Sequence, residues 1–326
     1  MGQSNISVII DDQEHIIEQG TPCSQLINDR NDCQSQGGQV IVAARVNQGI
    51  KDLSYPLQKS CTMQWVRLEE EAGMRIYRSS LVFLMIRAAK EILPGCDVHI
   101  KHSLSNGLYG EIDYKRPVVE QDFTQIEQRM EEIVAAREPF VWHGLSRKRG
   151  IQIFQGQNMH SKVALLQTSS LKEVTAYQLG WYYDYLASTM VPHTGLLPYF
   201  KLRFYLPGFI LEYPKLQNPC VVPPYVEQGK LANVYFAAEQ WQDIVGIHNA
   251  AELNQRMAED SQDIIHFCEG LQEKTVGQIA DAITANRSRL RIILVAGPSS
   301  SGKTTFTQRL WVQLRINGLH PVAISL

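Results

Sequence analysis

The chain has 326 residues, 44% of them hydrophobic and 20% charged; that length predicts two or three domains, and the composition excludes disorder and fibrous repeats. Lys plus Arg number 31 against 33 Asp plus Glu, a formal net charge of -2, so no global field draws the protein to nucleic acid or to an anionic membrane. The strongest apolar run, Leu81 to Ile86, ends at Arg87 and falls well short of the roughly 18 residues that span a bilayer, which excludes an integral membrane protein of the helical kind.

The N-terminus, Met1-Gly2-Gln3-Ser4-Asn5-Ile6, lacks a basic segment followed by an apolar one, and Ile6 stands where a myristoylation signal needs Ser or Thr; a cytoplasmic protein is expected. Cys23, Cys33, Cys61, Cys96, Cys220 and Cys268 form no CxxC pair and read as reduced, structural thiols. Residues 6–68 read as a small α+β module: a strand at Ser7 to Ile10, a Thr21-capped turn into Leu26-Ile27, and strands around Val40 to Val42 and Met63 to Val66.

From Arg75 to Leu93 the pattern is helical, and Pro94-Gly95 ends it before short strands at Val98 to Ile100 and Leu108 to Ile112. Asp122 is placed to cap a helix whose Ile126, Met130, Ile133 and Val134 share one stripe. Aromatics crowd the stretch from Tyr177 to Tyr213, as in Trp181-Tyr182-Tyr183 and Phe204-Tyr205. Such rings can stack exposed bases, but with no accompanying basic stripe they read as sheet-core packing.

His99 and His102 border a strand, where their spacing points to opposite faces and argues against a metal pair. Arg147-Lys148-Arg149 can contact RNA phosphates, although a three-residue run is ordinarily a solvated face. Half of the 14 prolines fall between Pro192 and Pro224, and a domain boundary is expected there. A helical connector follows from about Ala237 to Arg289, with Ile264, Cys268, Leu271, Ile279 and Ile283 on its expected buried face.

Arg291 to Ala296 has the composition of a buried parallel strand, and Gly297-Pro298-Ser299-Ser300-Ser301-Gly302-Lys303-Thr304 follows it, a full match to GxxxxGK[ST]. Two glycines permit a tight loop whose backbone N–H groups converge on phosphate oxygens at a helix N-terminus. Lys303 is the candidate catalytic residue, reaching the β- and γ-phosphates, and Thr304 the candidate magnesium ligand; Thr305 completes the candidate ATP-binding set. Phe306, Leu310 and Leu314 then recur at helical spacing, Asn317-Gly318 supplies a stop, and Pro321 to Leu326 reads as the next strand.

The run Gly297 to Thr305, with Gln308-Arg309-Leu310 and Gln313 to Leu319 after it, resembles the uridine kinase and phosphoribulokinase group of P-loop kinases, specifically bacterial uridine kinase-like nucleoside kinases. In that subgroup the kinase domain follows a region similar to the N-terminal part of threonyl-tRNA synthetase, and Tyr182 to Tyr185, Val191 to Gly195 and Pro207 to Leu211 carry this second resemblance. It implies a ubiquitin-like β-grasp (TGS) module over 1–70, a synthetase-like α+β domain over 71–225, a helical connector over 226–289 and the start of an α/β P-loop NTPase domain over 290–326. It also implies MgATP as cofactor and a nucleoside, uridine or cytidine, as phosphoryl acceptor at its 5′-hydroxyl.

The synthetase-like domain ordinarily carries a HxxxH and a CxxxH pair around a hydrolytic site. In this sequence the first pair falls on Arg78 and Val82 and the second on Thr189 and His193, so active editing is not expected. The kinase family continues past Leu326 with an aspartate-containing segment, so the sequence reads as the N-terminal portion of a longer enzyme, with no phosphoryl transfer expected from these residues alone. The rival reading is a non-catalytic, synthetase-like regulatory or RNA-interacting module with a vestigial nucleotide loop; a free-standing editing hydrolase is a third, which Arg78, Val82 and Thr189 contradict.

Overall fold

The computed structural model describes residues 5–27, 40–185 and 188–324. Met1 to Ser4, Cys33 and the last two positions of the strand expected at 321–326 lie outside the described residues. The chain divides into two compact units, Met1–Ala237 and Ala238–Leu326.

The first unit begins with a five-stranded mixed sheet: β1 (Asn5–Ile10), β2 (Gln13–Glu18), β3 (Ile41–Val46), β4 (Gly49–Lys51) and β5 (Cys61–Arg67), in the order β2-β1-β5-β3-β4. β1 and β5 pair in parallel at the centre and the other pairs are antiparallel. Alternation sets the inner face, since Val8 and Ile10 are buried while Ile9 between them is exposed. Asp11 and Asp12 both take positive φ, the backbone that a two-residue hairpin turn needs, and this returns the chain as β2, a strand the sequence reading lacks. The turn expected at Thr21 is a 3-10 helix over Cys23–Leu26.

Helix α1 (Glu71–Ile92) follows. Every residue from Ser80 to Ala89 is buried, so this helix is apolar on all sides because it runs through the core rather than along it. Around it lie a four-stranded antiparallel sheet built from β6 (Asp97–Leu104), β7 (Gly107–Asp113), β11 (Lys201–Tyr205) and β12 (Gly208–Glu212), and a three-stranded one built from β8 (Val141–Ser146), β9 (Glu173–Leu179) and β10 (Tyr182–Asp184). In the larger sheet Gly208 sits so close to its neighbour that an added Cβ would lie 2.0 Å from the Gly110 carbonyl, which restricts that position to glycine.

Helix α2 (Glu120–Ala135) buries Phe123, Ile126, Met130 and Ile133, with Val134 half-buried. Its N-cap is Val119 and not Asp122; Asp122 stands one turn in and its carboxylate accepts from the Val119 N–H at 2.9 Å while pairing with Arg116. α3 (Arg147–Gly156) and α4 (His160–Thr168) pack beside the three-stranded sheet.

The connector is two helices, α5 (Gly229–Val245), none of whose residues is buried, and α6 (Ala250–Ala285), which bends at Asp260. In the second unit α6 packs on α7 (Lys303–Ile316) through Val276, Ala280, Leu310 and Leu314. Of the face expected from periodicity, Ile264 is buried, but Cys268 and Ile279 are exposed, because the helix turns its Val276–Ala280 side to α7 instead.

The strands expected at Arg291 to Ala296 and from Pro321 onward are not formed among the described residues. Ile292, Leu294, Val322 and Ile324 are all more than three-quarters exposed. An apolar run becomes a strand only with a ladder partner, and among the described residues of this unit no sheet supplies one. The α/β sheet of a P-loop NTPase domain is therefore absent from the described residues of this chain.

Candidate functional site

The glycine-rich loop adopts a definite local form even without a flanking strand. Gly302, with φ +81°, is the N-cap of α7, and Ser300 also takes positive φ, a turn that brings the chain back over its own start. The Lys303 ammonium donates to the carbonyl oxygens of Gly297 and Pro298, both at 2.6 Å. These two bonds close the loop from inside. The first turn of α7 leaves the N–H groups of Lys303, Thr304 and Thr305 without helical acceptors, at the positive end of the helix, and both threonines are exposed. The candidate residues Gly297 to Thr305 thus stand together in one turn-and-helix element.

In the first unit, Arg78 is half-buried and lines a shallow cleft of about 280 Å³ with Met74, Ser103, Tyr213 and Lys215. Val82, one turn along α1, is part of the apolar core. Thr189 is half-buried, and the His193 ring meets Arg137 at 3.4 Å while its backbone bridges to Pro139. Among the described residues no group of three or more His, Cys, Asp or Glu is placed to hold a metal ion. His99 lies against Asp113 at 3.2 Å, whereas His102 stacks between the rings of Tyr109 and Tyr235; the opposite faces expected from their spacing are not what forms, because a bulge between Ile100 and His102 sets the two opposite Glu111 and Tyr109, which share one face of β7.

Two buried polar clusters escaped the sequence reading. Asp184, fully buried, pairs with Lys162 from α4 and accepts from the Tyr182 hydroxyl at 2.8 Å. Its signal was an acid inside the aromatic run Tyr182 to Tyr185, read there as packing. Glu91 accepts from Arg87 (2.9 Å), Arg129 (2.6 Å) and the Trp181 indole (2.8 Å), and Arg87 reaches on to Glu138. Burial alone would raise the Glu91 carboxyl, but the hydrogen bonds from Arg129, Trp181 and Arg87 hold it below its ordinary value. The remaining aromatics divide: Tyr182 is core, and Trp181 is half exposed with its N–H on Glu91.

No family model matches the chain. Among curated proteins it is similar to threonine--tRNA ligases: one from Acidovorax sp. (strain JS42), 32% identical over 162 residues, which is 49% of this chain and 25% of that protein. Another, from Anaplasma marginale (strain Florida), is 32% identical over 163 residues, 50% of this chain and 26% of the relative. A third, from Desulfovibrio desulfuricans, is 32% identical over 166 residues, again 50% and 26%. The N-terminal region is synthetase-like. The chain spans about a quarter of the length of the curated relatives it matches.

This similarity overturns the nucleoside kinase reading and, with it, the phosphotransferase class and the uridine or cytidine partner. The relatives are named as ligases of threonine and tRNA, and the physical basis of the kinase expectation, a strand-loop-helix-strand start to a sheet, is the part of the chain where no sheet forms among the described residues. A mixed α+β architecture with several sheets is what remains of the expected fold class. No described helix is long and apolar enough to cross a membrane.

Proposed function

We propose that this chain acts as a non-catalytic, synthetase-like module that engages RNA of the tRNA type, with a nucleotide-binding loop carried by its second unit. The observation that carries the reading is the match of half the chain to threonine--tRNA ligases combined with the residues at the four editing positions. Arg78, Val82 and Thr189 supply neither imidazole nor thiol, and His193 is engaged with Arg137. Recognition without hydrolysis is what such a set supports. The parallel β1–β5 centre of the first sheet supports assigning 1–70 as a β-grasp, TGS-type module, and 71–225 as the synthetase-like domain that follows it.

The loop suits a polyphosphate. Lys303 spends its ammonium on two neutral carbonyls, a pairing that an anionic oxygen outcompetes because a charge-assisted hydrogen bond is the stronger one. Gly297, Pro298, Ser299, Ser300, Ser301 and Gly302 would wrap the phosphates of ATP, and Thr304, with Thr305 beside it, would present a hydroxyl to Mg2+.

The deciding experiment is binding of an unmodified tRNA transcript to the purified chain, alongside an assay for amino acid released from charged tRNA. Saturable binding with no release is expected. Release of amino acid at enzymatic rates, or no binding of the transcript at low salt, would overturn the reading.

A further inference from the structure

β8 is the edge strand of its sheet, with β9 on one side. Two of its exposed side chains, Val141 and Trp142 on opposite faces of the sheet, are apolar where an edge is ordinarily protected by charge. Val141 and Trp142 are 42% and 49% exposed, and the six-membered ring of the Trp142 indole rests on Gly144, where an added Cβ would lie 3.0 Å from it. The strand runs straight into α3, whose first residues Arg147, Lys148 and Arg149 are exposed. The Arg147 N–H donates to the Lys172 carbonyl at 3.0 Å, and its guanidinium donates to the Ser169 carbonyl at 2.6 Å; this joins Lys172, at the start of the neighbouring strand, to the same corner. Four cations therefore meet one acid in the register, Glu173 opposite Ser146. No ion pair joins any of the four to a carboxylate among the described residues.

A half-open indole about 13 Å along the strand from a corner of cations whose partners are neutral oxygens, the Ser169 carbonyl for Arg147 and the Gln152 amide for Arg149, combines the two features that single-stranded nucleic acid needs, a π-face for an unstacked base and positive charge for the phosphates on either side. Duplex offers no free base to the indole, and an acidic peptide would use the cations and leave the ring idle. We infer that the β8 edge and the α3 corner form a binding surface for a single-stranded RNA segment, with a base stacked on Trp142 and phosphates held by Arg147, Lys148, Arg149 and Lys172. The inference rests on the RNA-interacting reading above and gives it a location.

The test is filter binding of the full chain to a tRNA transcript and to an oligoadenylate of about twelve nucleotides, each across a salt series. Lys148→Ala/Arg149→Ala/Lys172→Ala, which leaves the structural bonds of Arg147 in place, is expected to reduce the log–log salt slope by about 2. Trp142→Ala is expected to weaken oligoadenylate binding about 5- to 100-fold with the slope unchanged, and Trp142→Phe to restore most of it. Thermal melts matching the parent chain establish that the variants fold. Binding by the parent with unchanged slope and affinity in both variants overturns the inference and leaves the RNA-interacting reading standing. Failure of the parent chain to bind either RNA overturns both.

Discussion

The Tyr177 hydroxyl donates to Asp52 Oδ2 at 2.6 Å, joining the three-stranded sheet to the end of β4 across 125 positions of sequence. Burial pushes the Asp52 carboxyl above its ordinary value of 3.8, and the Tyr177 hydrogen bond brings it only partway back. The folded state therefore binds this proton more tightly than the unfolded state does, so Asp52 costs stability as pH rises from about 3.8 through the raised value. Tyr177→Phe is expected to lower stability by about 1 to 2 kcal/mol at pH 7, where the carboxylate loses its donor. Asp52→Asn, which keeps an acceptor without the charge, is expected to improve relative to the parent on going from pH 4 to pH 7. Urea midpoints of the three proteins at both pH values decide it; an Asp52→Asn effect that is flat with pH would refute the burial argument.

Glu91 has the opposite sign. Its carboxyl lies below the ordinary 4.5 in the folded protein, so the stability it contributes is present above that pH and is lost as pH falls through the lowered value. Glu91→Gln leaves Arg87, only 5% exposed, with Glu138 as its remaining acid. The expected cost is about 3 kcal/mol at neutral pH, shrinking toward pH 3, as read from chemical denaturation.

Lys303→Ala removes both bonds that close the glycine-rich loop and the cation that a phosphate would meet. Affinity for a non-hydrolysable ATP analogue is expected to fall by about 10- to 100-fold in calorimetry. Amide exchange at Gly297 to Gly302 should accelerate in the same variant without ligand. Binding as tight as that of the parent would remove the loop from the nucleotide-binding proposal.

In the second unit the packing of α6 on α7 rests on a cluster of four buried side chains, Val276, Ala280, Leu310 and Leu314. Leu314→Ala should therefore cost that unit about 2 to 4 kcal/mol, enough to melt α6 against α7, while the transition of the first unit, with its much larger buried cluster, stays in place. Circular dichroism during heating, with helix loss expected ahead of the main transition, checks it; a single unshifted transition would show that the two units do not unfold separately.

Local rules made much of the fold legible. Alternation located β1 and β5, the burial stripe located α2, and Pro94-Gly95 marked the end of α1. The turn into α7 was legible in Gly302, which takes the positive φ that glycine adopts most readily. Asp184 and Glu91 were invisible in sequence, since a carboxylate shows its partners only after distant segments close around it.

Apolar periodicity and turn residues set where helix and strand are allowed, because those preferences act over a few neighbouring residues. What each element became depended on the partners that packing supplied. Arg291 to Ala296 has the composition of a buried strand and stays irregular, since a strand is completed by hydrogen bonds to another strand and this unit provides none among its described residues. Conversely, Arg147 to Arg149 are exposed as a solvated run is, and only packing brings the Lys172 backbone against Arg147 at the end of the strand that carries Trp142. A surface acquires its character from which segments packing brings side by side, and that information is spread over the whole chain.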